Sequence, residues 1–203
     1  LVYYYKRKSF TVTLKNGTGI NGYSDLTVNS VGKEAQTKDG DTVLQVPYGS
    51  TLTFKADTKA GYTLTNSTFS DSSSGLSNCL VTAPTGSGEN VNWSLVMPDH
   101  DITIRAAGTP KTYDVTFVLN KPMGSSVDAL YGDMSPMTGL VYDKEYSLFN
   151  CDYLIPGYEF IGWTTDRAGT TERYSDGASV EKLTTEGNIN LYAQWRMREY
   201  CLT

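Results

Sequence analysis

Few residues of this sequence have the chemistry of a catalytic group, and their spacing forms no catalytic set. His100 is the one histidine among 203 residues, so a Ser-His-Asp or Cys-His relay would have to use it. It lies between Asp99 and Asp101, whose side chains would diverge from it and could not share one metal ion with it. A histidine in a turn before a strand explains the pattern more simply. The sequence therefore predicts a non-enzymatic protein with no metal site and no cofactor.

Two pairs of neighbouring carboxylates have the residue types that hydrolyse glycosides. The pairs are Asp39 with Asp41 and Asp176 with Glu181. Glycoside hydrolysis requires two carboxyl groups that face each other across a cleft. Both pairs stand among glycine, serine and threonine residues that are typical of turns, which favours solvated side chains over a catalytic pair.

Charge and composition exclude several classes of function. The net charge is -5, whereas binding to nucleic acid needs Lys and Arg clustered on one face. The longest apolar runs are too short to span a bilayer, and the residues after Leu1 do not resemble a signal peptide, so we expect a soluble segment of a longer protein. Cys79, Cys151 and Cys201 have no CxxC spacing, which predicts neither a disulfide framework nor a zinc site and leaves their redox state open.

The segment GYEFIGWTTDRAGTTERY, residues 157–174, concentrates aromatic side chains. Tyr158, Trp163 and Tyr174 could form a stacking platform for a sugar or contact a protein partner. The alternative, which we favour, is an aromatic strand that closes a small core. Strict alternation would place Trp163 on the polar side of this strand, but a β-bulge at Gly162 would return the indole ring to the core. The favoured interpretation therefore predicts that Trp163 is largely buried.

Apolar residues alternate with polar ones in much of the chain, which is the pattern of half-buried strands. This alternation occurs in residues 10–14, 52–56, 102–106, 113–117 and 189–195. Residues 16–44 and 66–92 are rich in Gly, Ser, Asn, Thr and Asp, which predicts long loops or irregular hairpins. Sustained helical periodicity is absent from the sequence, although residues 127–134 could form one short helix. We therefore predict a mainly β fold, with an α+β fold as the alternative.

The chain contains an internal repeat. A strand-like aromatic run, a short basic or Pro/Gly joint and a second alternating run occur three times, and they align Phe10 with Tyr113 and Tyr200. The corresponding landmarks within the units are Tyr48 and Tyr142, and the Gly-Tyr pairs at 61–62 and 157–158. A period of roughly 90 to 100 residues is longer than that of short solenoids, so each unit is interpreted as a small domain.

Five blocks of the second unit resemble one Listeria-Bacteroides repeat, the internalin B-repeat family of bacterial surface proteins. The blocks are YDVTFVLN, VYDKEYSL, GYEFIGWTTDRAGTT, YSDGASV and NINLYAQW, in family order across residues 113–195. The first unit is a divergent copy, in which YGSTLTF, AGYTL and MPDHDITIRA resemble the middle and the end of the repeat. It lacks the Gly-Trp pair after Tyr62. The resemblance implies two tandem, small, β-grasp-like repeat domains.

The alignment with this family predicts four segments along the chain. They are the last strand of a preceding repeat at 1–9, a divergent repeat domain at 10–108, a Listeria-Bacteroides-type repeat domain at 112–196 and the start of a following repeat at 197–203. The boundary is expected at 107–112, where Gly108 and Pro110 fall between two alternating strands, a composition that is typical of a short and fairly stiff joint.

The resemblance and the lack of catalytic groups together predict a segment of an extracellular protein, either secreted or on a bacterial cell surface. It would serve as an extended stalk or spacer between further repeats, or as an adhesive module that contacts a host or matrix protein or a glycan. The alternative is a carbohydrate-binding module attached to a larger enzyme or adhesin. We expect a monomer. The two predicted domains carry net charges of -3 and -6, so we also expect them to repel each other and to extend rather than fold together.

Overall fold

The structure, a computed structural model, describes residues 6–64, 69–71, 81–82, 92–123, 132–185 and 187–199. The chain divides into two compact units, Leu1–Pro110 and Lys111–Thr203. All regular secondary structure in the described ranges is β-strand, which confirms the mainly β prediction. The short helix considered at residues 127–134 falls mostly outside these ranges, and residues 132–134 are not helical. Within the same ranges, no helix is long and apolar enough to cross a membrane.

The first unit is built from two five-stranded sheets. Its strands are β1 (Ser9–Asn16), β2 (Ile20–Val28), β3 (Val31–Gly32), β4 (Gln36–Lys38), β5 (Asp41–Pro47), β6 (Thr51–Thr58), β7 (Tyr62–Thr63), β8 (Phe69–Asp71), β9 (Val81–Thr82), β10 (Asn92–Val96), β11 (Ile102–Ala106) and β12 (Thr109–Pro110). One sheet has the order β4-β5-β1-β11-β8 and the other β3-β2-β6-β10-β9, while β7 pairs with β12. The first strand, β1, is the parallel neighbour of β11, near the end of the unit.

The second unit has one four-stranded sheet and one two-stranded sheet. Its strands are β13 (Thr112–Val118), β14 (Met137–Val141), β15 (Tyr146–Ser147), β16 (Tyr158–Thr164), β17 (Ser179–Val180) and β18 (Asn188–Met197). The larger sheet has the order β14-β13-β18-β16, and β15 pairs with β17. Its first and last strands, β13 and β18, are parallel neighbours in the middle of the larger sheet, as β1 and β11 are in the first unit.

The alternating side chains of the first unit form its core. Val12 and Leu14 of β1 are fully buried, and Ile104 of the neighbouring strand β11 is almost fully buried. They share one hydrophobic cluster with Phe54 and Trp93, which lie opposite each other in the second sheet. The two sheets therefore enclose a common core. Burial of side chains of this size stabilises a fold by about 1.5–3 kcal/mol each.

The second unit has a separate core that follows the same pattern. Tyr113, Val115 and Phe117 of β13 are buried, and so are Leu191 and Ala193 of β18. All five belong to one hydrophobic cluster. The period-two alternation that predicted these strands therefore gave their buried faces correctly.

The two units use the same register between their parallel central strands, which are β1 with β11 and β13 with β18. Val12 lies opposite Ile102 in the first unit. Val115 lies opposite Ile189 in the second unit. In the sequence alignment of the two units, Val12 corresponds to Val115 and Ile102 corresponds to Ile189. The internal repeat is therefore present in the backbone pairing as well as in the sequence.

Two further pairings recur between the units. The Phe10–Val46 pair of the first unit corresponds to the Tyr113–Leu140 pair of the second unit. The Tyr62–Pro110 pair corresponds in the same way to the Tyr158–Met197 pair. The landmarks predicted from the sequence therefore occupy equivalent places in the two copies. The β-grasp-like assignment and the family membership of the first unit stay predictions.

The first unit differs from the second by additional strands. Residues 16–44, predicted as loops or irregular hairpins, contain β2, β3 and β4. The register between β2 and β6 shifts between Ile20 and Gly22 and again between Ser24 and Thr27. Such bulges break the alternation of side chains, which is why the alternation did not show β2 as a strand. The loops predicted at residues 66–92 lie largely outside the described ranges.

The predicted domain boundaries lie close to the ends of these strands. Ser9 belongs to β1, one residue before the predicted start of the first domain. The pieces of neighbouring repeats predicted at 1–9 and 197–203 fall partly outside the described ranges. The independence of the two domains stays a prediction.

Candidate functional site

Trp163 lies in the interior of the second unit. Its side chain is fully buried, which confirms its predicted burial. Its backbone lies opposite Ala193, and its N–H donates a hydrogen bond to the Tyr174 carbonyl at 2.8 Å. A sugar cannot reach this ring, so Trp163 cannot belong to a stacking platform in this structure. Tyr158 and Tyr174 are only partly buried, and their role as partner contacts stays a prediction.

The predicted β-bulge at Gly162 is confirmed. The register between β16 and β18 shifts between Phe160 and Gly162. Gly162 has a φ of +133°, a conformation that residues with a Cβ atom rarely adopt. Because the bulge adds one residue, Phe160 and Trp163 both reach the core, where their ring centroids lie 4.9 Å apart. The physical cause of the burial of Trp163 is therefore the bulge that precedes it.

Trp163 is the centre of an aromatic cluster, which consists of Phe117, Tyr153, Phe160, Trp163 and Trp195. The centroid of its ring lies 4.9 Å from that of Phe117 and 6.2 Å from that of Tyr153. Phe160 contacts Trp195 edge to face at 5.8 Å. Aromatic pairs of this kind contribute about 0.5–1.5 kcal/mol beyond their buried area. The segment that looked suited to sugar binding therefore serves mainly to close the core.

His100 and its neighbours make structural contacts. His100 Nδ1 lies 3.1 Å from Asp99 Oδ1, and this contact lowers the pKa of Asp99 below its usual value. Asp101 Oδ1 accepts a hydrogen bond from the Thr11 N–H at 2.7 Å. Asp99 and Asp101 therefore contact different partners, which are the His100 ring and the Thr11 N–H. In the part of the chain that the structure describes, no group of three His, Cys, Asp or Glu side chains is placed to hold a metal ion.

The carboxylates considered for glycoside hydrolysis also have separate structural partners. The partners are Lys15 Nζ for Asp41 at 3.8 Å, the Cys151 N–H for Asp176 at 2.8 Å and Lys182 Nζ for Glu181 at 2.9 Å. Asp39 occupies a turn with a φ of +52°. These contacts explain each carboxylate as part of a turn or a surface ion pair.

Cys151 is a free thiol that packs against the core of the second unit. Its side chain is partly buried, and its sulfur lies 3.9 Å from the Tyr153 carbonyl oxygen. Burial raises the pKa of the Cys151 thiol to about 11, so the thiol is protonated at neutral pH. Cys79 and Cys201 lie outside the described residues.

The loop that follows β16 is organised by Asp166. One of its carboxylate oxygens accepts hydrogen bonds from the N–H groups of Thr170 at 3.0 Å and Thr171 at 2.8 Å. The buried hydroxyl of Thr164 donates to the Asp166 carbonyl at 2.7 Å, and it accepts from the Gln194 side chain at 2.7 Å. This loop was predicted only as a turn. The sequence signal for this hydrogen-bonded loop is an aspartate that precedes one threonine by four residues and the next threonine by five.

Acid should open the Asp166 loop. The hydrogen bonds from Thr171 and Thr170 favour the carboxylate and lower the pKa of Asp166 from 3.8 to about 2. Because the folded pKa lies below the unfolded one, the stabilisation is complete above pH 3.8 and is lost as the pH falls through about 2. We expect the NMR amide signals of both threonines to titrate with a midpoint near pH 2, and to lose this titration in Asp166→Asn. A midpoint near pH 4 would show that the bonds do not form.

A groove of about 460 Å³ on the second unit is a candidate for a binding site. Its lining includes Asn120, Met123, Arg167 and Trp195. Met123 is fully exposed at the groove, and the Arg167 guanidinium lies 5.2 Å from the centre of the Tyr192 ring. The groove thus combines apolar surface with a cation, which suits a ligand with an apolar face and an anionic group.

The groove was not predictable from spacing in the sequence. Its walls come from residues 120–123, 167–168 and 194–195, which are far apart in the chain. The Asn120 side-chain amide joins them, because it donates to the carbonyls of Arg167 and Ala193, both at 3.0 Å. Only the folded chain brings these three segments together.

Comparison with known proteins identifies the second unit. The family model of the Listeria-Bacteroides repeat domain matches residues 113–194, as the five sequence blocks predicted. A protein of Evansella cellulosilytica, provisionally named a Gly-rich membrane protein, is 32% identical to the chain over 130 residues. This match covers 60% of the chain but only 14% of that protein, so the chain spans a small part of its relative's length. No solved structure matches the chain significantly.

Proposed function

We propose that the chain is a non-enzymatic, tandem-repeat segment of a bacterial cell-surface or secreted protein, and that it acts as an extended stalk or spacer. The observation that carries the proposal is the recurrence of one strand register in two consecutive units. The bacterial repeat domain in the second unit supports it, as does the relative named as a membrane protein. Tandem copies of one small domain add length in regular steps without adding a catalytic site.

The residues on either side of the boundary between the units are bonded within their own units. Pro110 lies opposite Tyr62, within the first unit. The carbonyl of the next residue, Lys111, accepts a hydrogen bond at 2.9 Å from the N–H of Tyr142, within the second unit. The bonded structure of the first unit therefore extends to Pro110, and that of the second unit begins at Lys111. Residues 109–112 contain neither glycine nor serine, whereas flexible linkers are rich in both.

The charges of the two domains also favour extension. Residues 10–108 carry a net charge of -3 and residues 112–196 a net charge of -6. Like charges repel over distances comparable to the Debye length, which is about 8 Å at physiological salt. Repulsion between the domains therefore opposes their folding together.

Small-angle X-ray scattering of the 203-residue chain tests the stalk. A single compact globule of this length has a radius of gyration of about 17 Å. We expect a clearly larger value and a pair-distance distribution with two maxima. The measurement should be repeated at 1 M salt, where the Debye length falls to about 3 Å. If the radius of gyration stays large at 1 M salt, the joint and not charge repulsion keeps the chain extended. If the radius decreases at 1 M salt, charge repulsion is the cause of the extension.

A radius near that of one globule would contradict the stalk. Binding of the chain to a glycan array would instead support the alternative, a carbohydrate-binding or adhesive module. Its contact surface would then be the groove at Met123, Arg167 and Trp195, because Trp163 is inaccessible. Loss of that binding in Arg167→Ala, with unchanged thermal unfolding, would assign the ligand to the groove.

A further inference from the structure

We infer that each unit is a mechanical clamp that resists tension applied through the ends of the chain. This inference goes beyond the proposed function, because a spacer need not bear load. It depends on the order and direction of strands within each unit, and not on how the units are arranged.

The first and last strands of the second unit are positioned to be sheared under tension. The chain enters the unit at the start of β13 and leaves it at the end of β18. These strands are parallel neighbours, paired from Asp114–Asn188 to Val118–Tyr192. Entry and exit therefore lie at opposite ends of one ladder. Tension between them pulls the two strands along their length in opposite directions, so that all hydrogen bonds of the ladder carry the load together.

The first unit has the same loading geometry. Its entry strand β1 and the strand β11 are parallel neighbours, paired from Val12–Ile102 to Asn16–Ala106, and only the short β12 follows β11 before the chain leaves the unit. The two units thus share this feature although their sequences have diverged and their other strands differ. Tension through the ends of the chain would load a five-residue ladder in each of the two units.

Neither loaded strand is at the edge of its sheet. β13 is also paired with β14, and β18 is also paired with β16. In the first unit, β1 is also paired with β5, and β11 is also paired with β8. A strand that slides must therefore break pairs on both sides at once. The same strands bury Val12, Leu14, Val115, Phe117 and Leu191, so sliding also disrupts the core.

The exit strand of the second unit is anchored beyond the parallel ladder. Tyr158 lies opposite Met197, and the Arg198 N–H donates to the Gly157 carbonyl at 2.8 Å. The Arg196 guanidinium donates to Glu159 at 2.6 Å on the surface. Force therefore meets bonded residues as far as the end of the unit, with little slack before the ladder is reached.

Single-molecule force spectroscopy with two pulling directions tests the clamp. In one form, the full chain is held at its two ends. In the other, Lys111→Cys and Gly187→Cys provide the handles, after Cys79, Cys151 and Cys201 are replaced by alanine in both forms. Positions 111 and 187 lie at the same end of the parallel ladder, since the Asp114 N–H donates to the Gly187 carbonyl at 3.0 Å. A Cβ atom at Gly187 meets no neighbour.

Pulling at 111 and 187 would open the ladder one pair at a time, whereas pulling at the ends shears it. We expect the second unit to unfold at a several-fold higher force in the end-held form. Its unfolding releases about 300 Å of chain, at about 3.5 Å for each residue, which identifies the event. The unfolding force depends on the rate of unfolding and not on the equilibrium stability. The two forms can therefore unfold at different forces although their thermal midpoints are equal.

An end-held force that is equal to or lower than the force between 111 and 187 would overturn the inference. Thermal unfolding of both forms, with the same midpoint, establishes that the handles have not disturbed the fold. If the Gly187 variant failed to fold, Lys8→Cys with His100→Cys would provide the same comparison in the first unit, because both precede the Val12–Ile102 pair. Scattering from the unmodified chain tests the stalk separately, so an elongated but weak chain would reject only the clamp.

Discussion

Replacement of Trp163 by alanine is expected to lower the free energy of unfolding of the second unit by about 3–5 kcal/mol, the usual cost of truncating a buried large aromatic side chain. The ring is fully buried, and its centroid lies 4.9 Å from those of both Phe117 and Phe160. Its removal leaves a cavity that these rings can fill only in part. The midpoint of urea unfolding of the second unit should therefore fall while the dependence on urea stays the same.

Two further variants are the controls for Trp163→Ala. Trp163→Phe should cost much less, since it keeps most of the volume and the indole nitrogen has no hydrogen-bond partner among the described residues. Trp93→Ala removes a buried ring from the other core and should destabilise only the first unit. NMR signals assigned to each unit follow the two transitions in one urea titration. Equal destabilisation of both units by either alanine variant would contradict two independent cores.

The central strands were predictable because local pattern and tertiary packing agree there. Each of β1, β11 and β13 has one face in a core and one face outside it, so the period of two appears directly in the sequence. Val12 and Val115 are buried at equivalent positions of equivalent strands. The internal alignment could therefore anticipate the shared register, which normally requires knowledge of long-range pairing.

Strand β2 and the Asp166 loop were not predictable in the same way. The two register shifts in β2 remove the period of two, and its pairing with β6 spans more than twenty residues of chain. The Asp166 loop closes through side-chain bonds, including one from Gln194, whose partner cannot be known before β16 and β18 pair. Both features depend on contacts between distant segments, which local composition does not record.

The candidate site shows the same division between local and distant information. Burial of Trp163 followed from the aromatic strand and the glycine before it, both within a few residues. The groove at Met123 and Arg167 depends on three segments that only the complete fold brings together. Local aromatic content therefore located the core of the second unit correctly, but it did not indicate the groove.

Replacement of Gly162 by alanine is the second change with a large expected effect, a loss of about 2–4 kcal/mol from the second unit, because it combines a strained backbone with overpacking. The φ of +133° disfavours any residue with a Cβ atom. A Cβ atom there would lie 2.7 Å from the Tyr174 carbonyl oxygen, which cannot move away freely because it accepts the hydrogen bond from the Trp163 N–H. Relief of the clash would straighten the bulge and turn Trp163 out of the core, so tryptophan fluorescence should shift towards longer wavelength together with the lower urea midpoint.

Gly187→Ala is the matched control, since a Cβ atom at Gly187 meets no neighbour, and it should leave both readouts nearly unchanged. An unchanged midpoint in Gly162→Ala would mean that the bulge is not what holds Trp163 in the core.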